Sequence, residues 1–285
     1  MRFTNLDQLQ ETRYWIPAFE HEGMVHEGVD LDIRHAGVVE GEPDDGQFPF
    51  DASGRVEFGV ALWPCALALA DELVKRRALF QGTRVLELGA GVGLPGLVAS
   101  FLGAEVVQTD ASEQALALCR DNGHRNRGGN DALRRGCISY GVLDWSQGVG
   151  HPLLADAQFD WIIGSDILYS EALHPSLLAI FQRHLASGGS VLLADPLRPV
   201  SHRYLERLEQ SMTDPPGFSV CLDRFKAFRE SWASLGGDMA LICSDATTIR
   251  GDVAPICVDN RALICSDMAL GYGDMAMIYV EARLD

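Results

Sequence analysis

The chain has 285 residues, enough to bury a full core, and its 47% hydrophobic content is ordinary for a globular protein. Its net charge of −17 repels phosphate backbones and disfavours nucleic-acid binding, while it suits a basic partner or simply keeps the chain soluble. There is no run of eighteen apolar residues to cross a membrane, no basic-then-apolar leader, and no C-x-x-C among the seven cysteines, so a cytoplasmic protein without disulfide framework or bound metal is expected.

Residues 1–58 lack a strong period and read as an N-terminal extension or cap with short strands, interrupted by a loop-like acidic stretch at Pro43, Asp44, Asp45 and Gly46. His21 and His26 precede no helical apolar pattern and are not expected to hold a metal. From Phe58 the pattern changes. Pro64 fits the first turn of a helix, and Leu67, Ala70, Leu73 and Val74 follow at helical spacing.

Strands and helices then alternate. Strands are predicted at 84–89, 105–110, 136–143, 159–166 and 188–195, and helices at 94–103, 112–123, 174–186 and 201–212, with Ser112 as an N-cap. Short apolar strands alternating with helices build an α/β fold with a doubly wound, mostly parallel sheet, whose ligands bind at the carboxyl ends of the strands. Residues 59–285 form this domain. Its tail, 238–285, is an internal heptad-like repeat: an acidic residue recurs at Asp238, Asp245, Asp252, Asp259, Asp267, Asp274 and Glu281, and "ALICSD" occurs twice. The composition suggests short strands and turns, either an enlarged final β-hairpin or a binding appendage, and 274–284 reads as a last strand.

The stretch "VLELGAGVGLPG" (85–96) carries two overlapping fingerprints. From Gly91 it is G-x-G-x-x-G, which suits a dinucleotide; from Glu87 it is E-x-G-x-G-x-G, which suits S-adenosylmethionine. Asp110, nineteen residues after Gly91, serves either ligand by gripping ribose hydroxyls. Three features discriminate. A carboxylate at Glu87 suits an ammonium and a sulfonium and repels a pyrophosphate. Asp144 can accept from an adenine amino group, with Trp145 against the ring. "SDILY" (165–169) closes the fourth of the predicted strands, where the transferred group would be presented. Each has a plainer alternative: Glu87 could pair with Arg84, Trp145 could be core, and Asp166 could cap a helix. Together, in order on successive strand ends, they favour S-adenosylmethionine.

With these residues the sequence resembles the class I, seven-β-strand methyltransferases. More narrowly it resembles the protein-lysine methyltransferases grouped beside nicotinamide N-methyltransferase. The likeness is carried by "FGVALWP" (58–64), the glycine loop, "VVQTDAS" (106–112), "LDW" (143–145) and "FDWIIGSDILYSEALHPSLL" (159–178), with the D-x-x-Y at Asp166–Tyr169 the most specific. The resemblance implies a Rossmann-like, seven-stranded sheet. It implies that Glu87, Gly89, Gly91 and Gly93 shape the methionine side of the pocket, Asp110 binds ribose, and Asp144 and Trp145 hold adenine. Trp63 would help cover the cofactor, Ser165 would join the cofactor-binding set, and Asp166 and Tyr169 would border the acceptor as the catalytic pair. The implied activity is N-methylation of a lysine on a protein substrate, one of basic character in view of the charge. The alternatives are a small-molecule amine methyltransferase or a non-catalytic cofactor-binding scaffold. Neither the N-terminal 58 residues nor the tail matches the usual family pattern, and the oligomeric state is left open. The Asn/Asp-Pro-Pro-Tyr/Phe signature of base methylation is absent after the fourth predicted strand, and "DPPG" at 214–217 reads as a turn. Residues 238–285 contain no lysine, so the tail cannot be a lysine self-substrate.

Overall fold

The computed structural model describes residues 9–21, 24–37, 58–126, 136–147, 151–196, 198–201 and 203–204, and the backbone of three further strands at 218–226, 242–247 and 275–282. The acidic stretch at 43–46, the turn at 214–217 and most of the helix expected at 201–212 and of the repeat lie outside these residues.

The extension supplies β1 (Gln10–Ile16), β2 (Phe19–His21), β3 (Met24–His26) and β4 (Val29–His35). β1 pairs antiparallel with β4, and β2 with β3. Alternation sends Tyr14, Ile16, Leu31 and Ile33 into the core, while Arg13 and Asp32 pair at 3.1 Å on the outer face. The free edge of β4 is capped by helix α3 (Glu113–Asn126). Asn122 accepts from the Arg34 amide at 2.8 Å and donates to its carbonyl at 3.0 Å; Asn126 does the same for Asp32 at 2.8 and 3.0 Å. Asparagines four apart on a helix thus meet residues two apart on a strand, imitating a further strand and covering an edge that would otherwise be open.

Helix α1 (Pro64–Lys75) begins at the proline, as its pattern predicts, and buries Leu67, Leu69, Ala70 and Leu73. β5 (Arg84–Leu88), α2 (Leu94–Phe101), β6 (Glu105–Asp110), α3, β7 (Ile138–Val142), β8 (Phe159–Ser165), α4 (His174–His184) and β9 (Leu185–Asp195) follow. Every strand and helix expected between residues 64 and 195 is present. Helix α3 runs three residues further than its predicted end, and β9 begins three residues earlier. β10 (Phe218–Lys226), β11 (Ile242–Thr247) and β12 (Met275–Ala282) complete the chain.

These last strands join one eight-stranded sheet in the order β11-β10-β12-β9-β8-β5-β6-β7. Neighbours from β9 to β7 are parallel, whereas β12 runs antiparallel between β9 and β10. This is the doubly wound, Rossmann-like sheet expected, with one strand added. The addition is β11, from the start of the repeat, and it lies on the outer side of β10 rather than beside β12.

Successive residues in the central strands face opposite cores. Val85, Ile163 and Leu192 pack with α1, α2 and the N-terminal hairpin, while Leu86, Ile162, Val191 and Leu193 pack with α4 and Tyr204. The chain leaves β5 toward β6 and β7, then returns to β8 on the other side of β5, which places the topological switch point over the carboxyl ends of β5 and β8. No helix among the described residues is long and apolar enough to cross a membrane.

Candidate active site

The turn from β5 into α2 is built from glycines because three of its residues carry positive φ: Gly89 at 65°, Gly91 at 53° and Gly93 at 87°. A Cβ on Gly93 would strike the Cys119 thiol and lie 3.0 Å from the Gln108 amide nitrogen. At Gly91 the constraint is the approach segment: an added Cβ would lie 3.2 Å from the Gly59 carbonyl. Gly59 therefore lies against the loop. Trp63 leads into α1, donates from its indole nitrogen to the Phe58 carbonyl at 3.0 Å and faces the Phe58 ring at 6.2 Å.

Glu87 does not pair with Arg84. The Arg84 guanidinium donates to the Gln158 carbonyl at 2.8 Å and lies over the Phe159 ring. Glu87 is instead only 1% exposed beneath the loop, accepting from Gln108 Nε2 at 2.6 Å and from the Gly96 amide. Burial pushes its carboxyl up to about 8 despite these bonds. It supports the loop from below rather than presenting a charge on the open side. Gln108, unflagged in the sequence, is the hub of this support: its Nε2 also donates to the Gly93 carbonyl at 2.9 Å.

Asp110, at the end of β6, accepts from the Gly91 amide on Oδ2 and the Ser112 amide on Oδ1, each at 2.9 Å. Burial raises its carboxyl and the backbone amides pull it back. Ser112 caps α3 through a 3.1 Å bond from the Ala115 amide, as its position predicts. Trp145 belongs to the core beside Ile167, and its ring atoms would lie 3.4 Å from a Cβ on Gly89. It is thus a core residue whose edge reaches the glycine loop, and its buried indole nitrogen has no hydrogen-bond partner. Asp144 accepts from the Ser146 amide at 2.9 Å and hydroxyl at 2.7 Å, which hold its carboxyl below the usual range.

Ser165 ends β8, in register with Ala194 of the neighbouring β9. Asp166 follows with φ of 58°, which few residues other than glycine adopt, and its amide donates to the Ala194 carbonyl at 2.8 Å. It caps no helix. Its carboxylate is clasped by Arg198: Nη1 bonds Oδ1, and Nη2 lies 3.3 Å from Oδ2. Tyr169 is 57% exposed, and its hydroxyl is raised first by partial burial, then by the fields of Asp110, Asp166 and Asp144. The structure therefore brings Asp110, Asp144, Asp166 and Tyr169 to one mouth. Arg198 escaped detection in the sequence because only strand order reveals that β8 and β9 end side by side.

The site suits the donor that the fingerprint suggested. Its turn carries glycine at three alternate positions, and the carboxylates around Tyr169 suit a sulfonium and disfavour a pyrophosphate. Comparison with known proteins decides the family, since the lysine methyltransferase family profile matches residues 44–211. The chain belongs to the lysine methyltransferase family.

This member of the lysine methyltransferase family carries the fingerprint expected for S-adenosylmethionine. It is 38% identical over 161 residues to protein N-lysine methyltransferase METTL21A of Xenopus tropicalis, covering 55% of this chain and 71% of that one. It is 31% identical over 144 residues to EEF1A lysine methyltransferase 3 of Mus musculus, covering 50% and 58%. It is also 35% identical over 127 residues to histone-arginine methyltransferase METTL23 of Mus musculus, covering 44% and 47%. The chain thus spans from about half to seven tenths of the length of these relatives.

Proposed function

We propose that this enzyme N-methylates a lysine side chain on a protein partner of basic character, in the mouth shared by Asp110, Asp144, Asp166 and Tyr169. The observation that carries this reading is the position of Tyr169, whose hydroxyl feels carboxylates from β6, β7 and β8 together. It stands where a donor side and an acceptor side must meet. The relatives named as protein lysine methyltransferases supply the substrate class.

S-adenosylmethionine, when bound, supplies a methyl group already activated on a sulfonium. The chain's own work is placement and exclusion of water. Asp110 holds ribose hydroxyls. Glu87, Gly89, Gly91 and Gly93 shape the methionine side; Asp144 and Trp145 define the adenine side, Trp63 covers the pocket, and Ser165 borders it. Asp166 orients the acceptor nitrogen, and Tyr169 forms the wall of its channel. A lysine in water holds its proton up to a pKa of about 10.4, so the channel must strip solvent from the incoming ammonium before the nitrogen can attack.

A guanidinium acceptor is the second reading, favoured by the similarity to a protein named histone-arginine methyltransferase. One experiment separates the readings. The protein is incubated with tritiated S-adenosylmethionine and a cell lysate, the products are divided by size, and labelled proteins are digested for mass spectrometry. Methyl groups on lysine are expected. Label on arginine selects the second reading, and label confined to small molecules removes the protein acceptor.

A further inference from the structure

The position proposed for Asp166 raises a physical difficulty that the structure itself resolves. A bare carboxylate within about 4–6 Å of an ammonium favours the charged form and raises its pKa by roughly 1–3 units. Methyl transfer needs the neutral amine. A carboxylate placed to orient the acceptor would also keep the acceptor protonated.

Asp166 is not bare. Its side chain is 10% exposed, and Arg198, 22% exposed, closes on both of its oxygens. The arrangement is fixed from both strands: Asp166 is held by the Ala194 carbonyl at positive φ, and Arg198 follows the end of β9 by three residues. Around the pair stand Cys65 from the start of α1, Asp195 from the end of β9 and Tyr169 beyond β8, with Asp110 and Asp144 facing Tyr169. Further out, Arg203 pairs with Glu171 at 3.4 Å. Burial raises the Cys65 thiol and, together with the neighbouring carboxylates, the Tyr169 hydroxyl. Arg198 is therefore the cation set against the carboxylates of Asp166 and Asp195, and a guanidinium stays charged at every working pH.

We propose, resting on the lysine reading of this site, that Arg198 is a positioning residue that cancels the charge of Asp166. The carboxylate can then orient the acceptor nitrogen without retaining its proton. Each carboxylate oxygen has a lone pair directed away from the guanidinium, so the orienting bond survives the pairing.

The test is the pH profile of kcat for the full chain, which reports groups in the bound complex, with saturating tritiated S-adenosylmethionine and, as acceptor, the protein that the wild type labels in lysate, purified. The wild-type rate rises with pH as the acceptor loses its proton. Arg198→Gln moves that limb upward by about one unit, a roughly tenfold loss on the rising part of the profile that shrinks as pH climbs toward the plateau. Arg198→Lys, which keeps the charge, leaves the limb in place. In an Asp166→Asn background, where the pair becomes two neutral amides, Arg198→Gln again moves the limb upward relative to Asp166→Asn alone. Calorimetric titration with S-adenosylmethionine confirms that each variant is folded. An equal loss at every pH, with the limb unmoved in both backgrounds, overturns the proposal and leaves the lysine reading standing. A wild type that labels no protein overturns the lysine reading instead, and this proposal with it.

Discussion

The two halves of the proposed site are made of different materials. The donor half, at the ends of β5 and β6, is held mainly by backbone: three glycines at positive φ and the amides of Gly91 and Ser112 on Asp110, above one buried side-chain bond, Glu87–Gln108. The acceptor half, at the ends of β8 and β9, is held by side chains: an Asp166–Arg198 ion pair and a tyrosine more than half exposed. A backbone site tolerates little change, because each altered glycine collides with something fixed. A side-chain site can be altered residue by residue while the fold stands.

Substitutions should separate the halves in that order. Gly93→Val forces a side chain onto the Cys119 thiol at a positive φ, so we expect about 4 kcal/mol of destabilisation, with donor binding and fold lost together. Thermal denaturation with and without S-adenosylmethionine reads both. Asp166→Asn should lower methyl transfer about a hundredfold, with donor affinity held within about threefold, on the scale of one lost orienting contact. Titration calorimetry beside a transfer assay checks it, and equal losses would merge the two halves. Asn122→Ala strands the Arg34 amide and carbonyl and the Val92 carbonyl, for about 2–3 kcal/mol by urea denaturation.

The smallest effect lies outside both halves. Asp71 accepts from the Tyr14 hydroxyl at 2.7 Å, and burial pushes its carboxyl up to about 6. A carboxyl raised on folding contributes stability that is complete below its unfolded value near 3.9 and is lost as pH rises through about 6. Asp71→Asn keeps an acceptor for Tyr14 and cannot ionise. It should raise stability at pH 7.5 by about 1–2 kcal/mol and flatten the profile between pH 4 and 6. An unchanged profile in urea denaturation would show that Asp71 does not titrate in this range.

The same contrast explains what the sequence could reveal. The donor half is contiguous, since a strand, its glycine turn and the aspartate ending the next strand follow one another within Glu87–Asp110. Periodicity likewise placed the elements from Pro64 to Asp195, because their apolar faces are set by local geometry. Three things were not local. Glu87 turned downward because Gln108, on the neighbouring strand, offered a buried donor. Arg198 met Asp166 only because parallel pairing of β8 and β9 aligns their ends. β11 extended the sheet from a repeat whose composition suggested strands but not their neighbours.

Asn122 has a consequence beyond capping β4. The same side-chain nitrogen that holds Arg34 also donates to the Val92 carbonyl, inside the glycine turn, at 2.9 Å. A segment some sixty residues upstream in the chain is thus fastened to the donor loop through a single amide group. The N-terminal strands thus lock the brace: a chain shortened to begin at Phe58 would keep every recognisable motif and Asn122 itself, yet lose the two backbone bonds from Arg34 that hold that side chain in place.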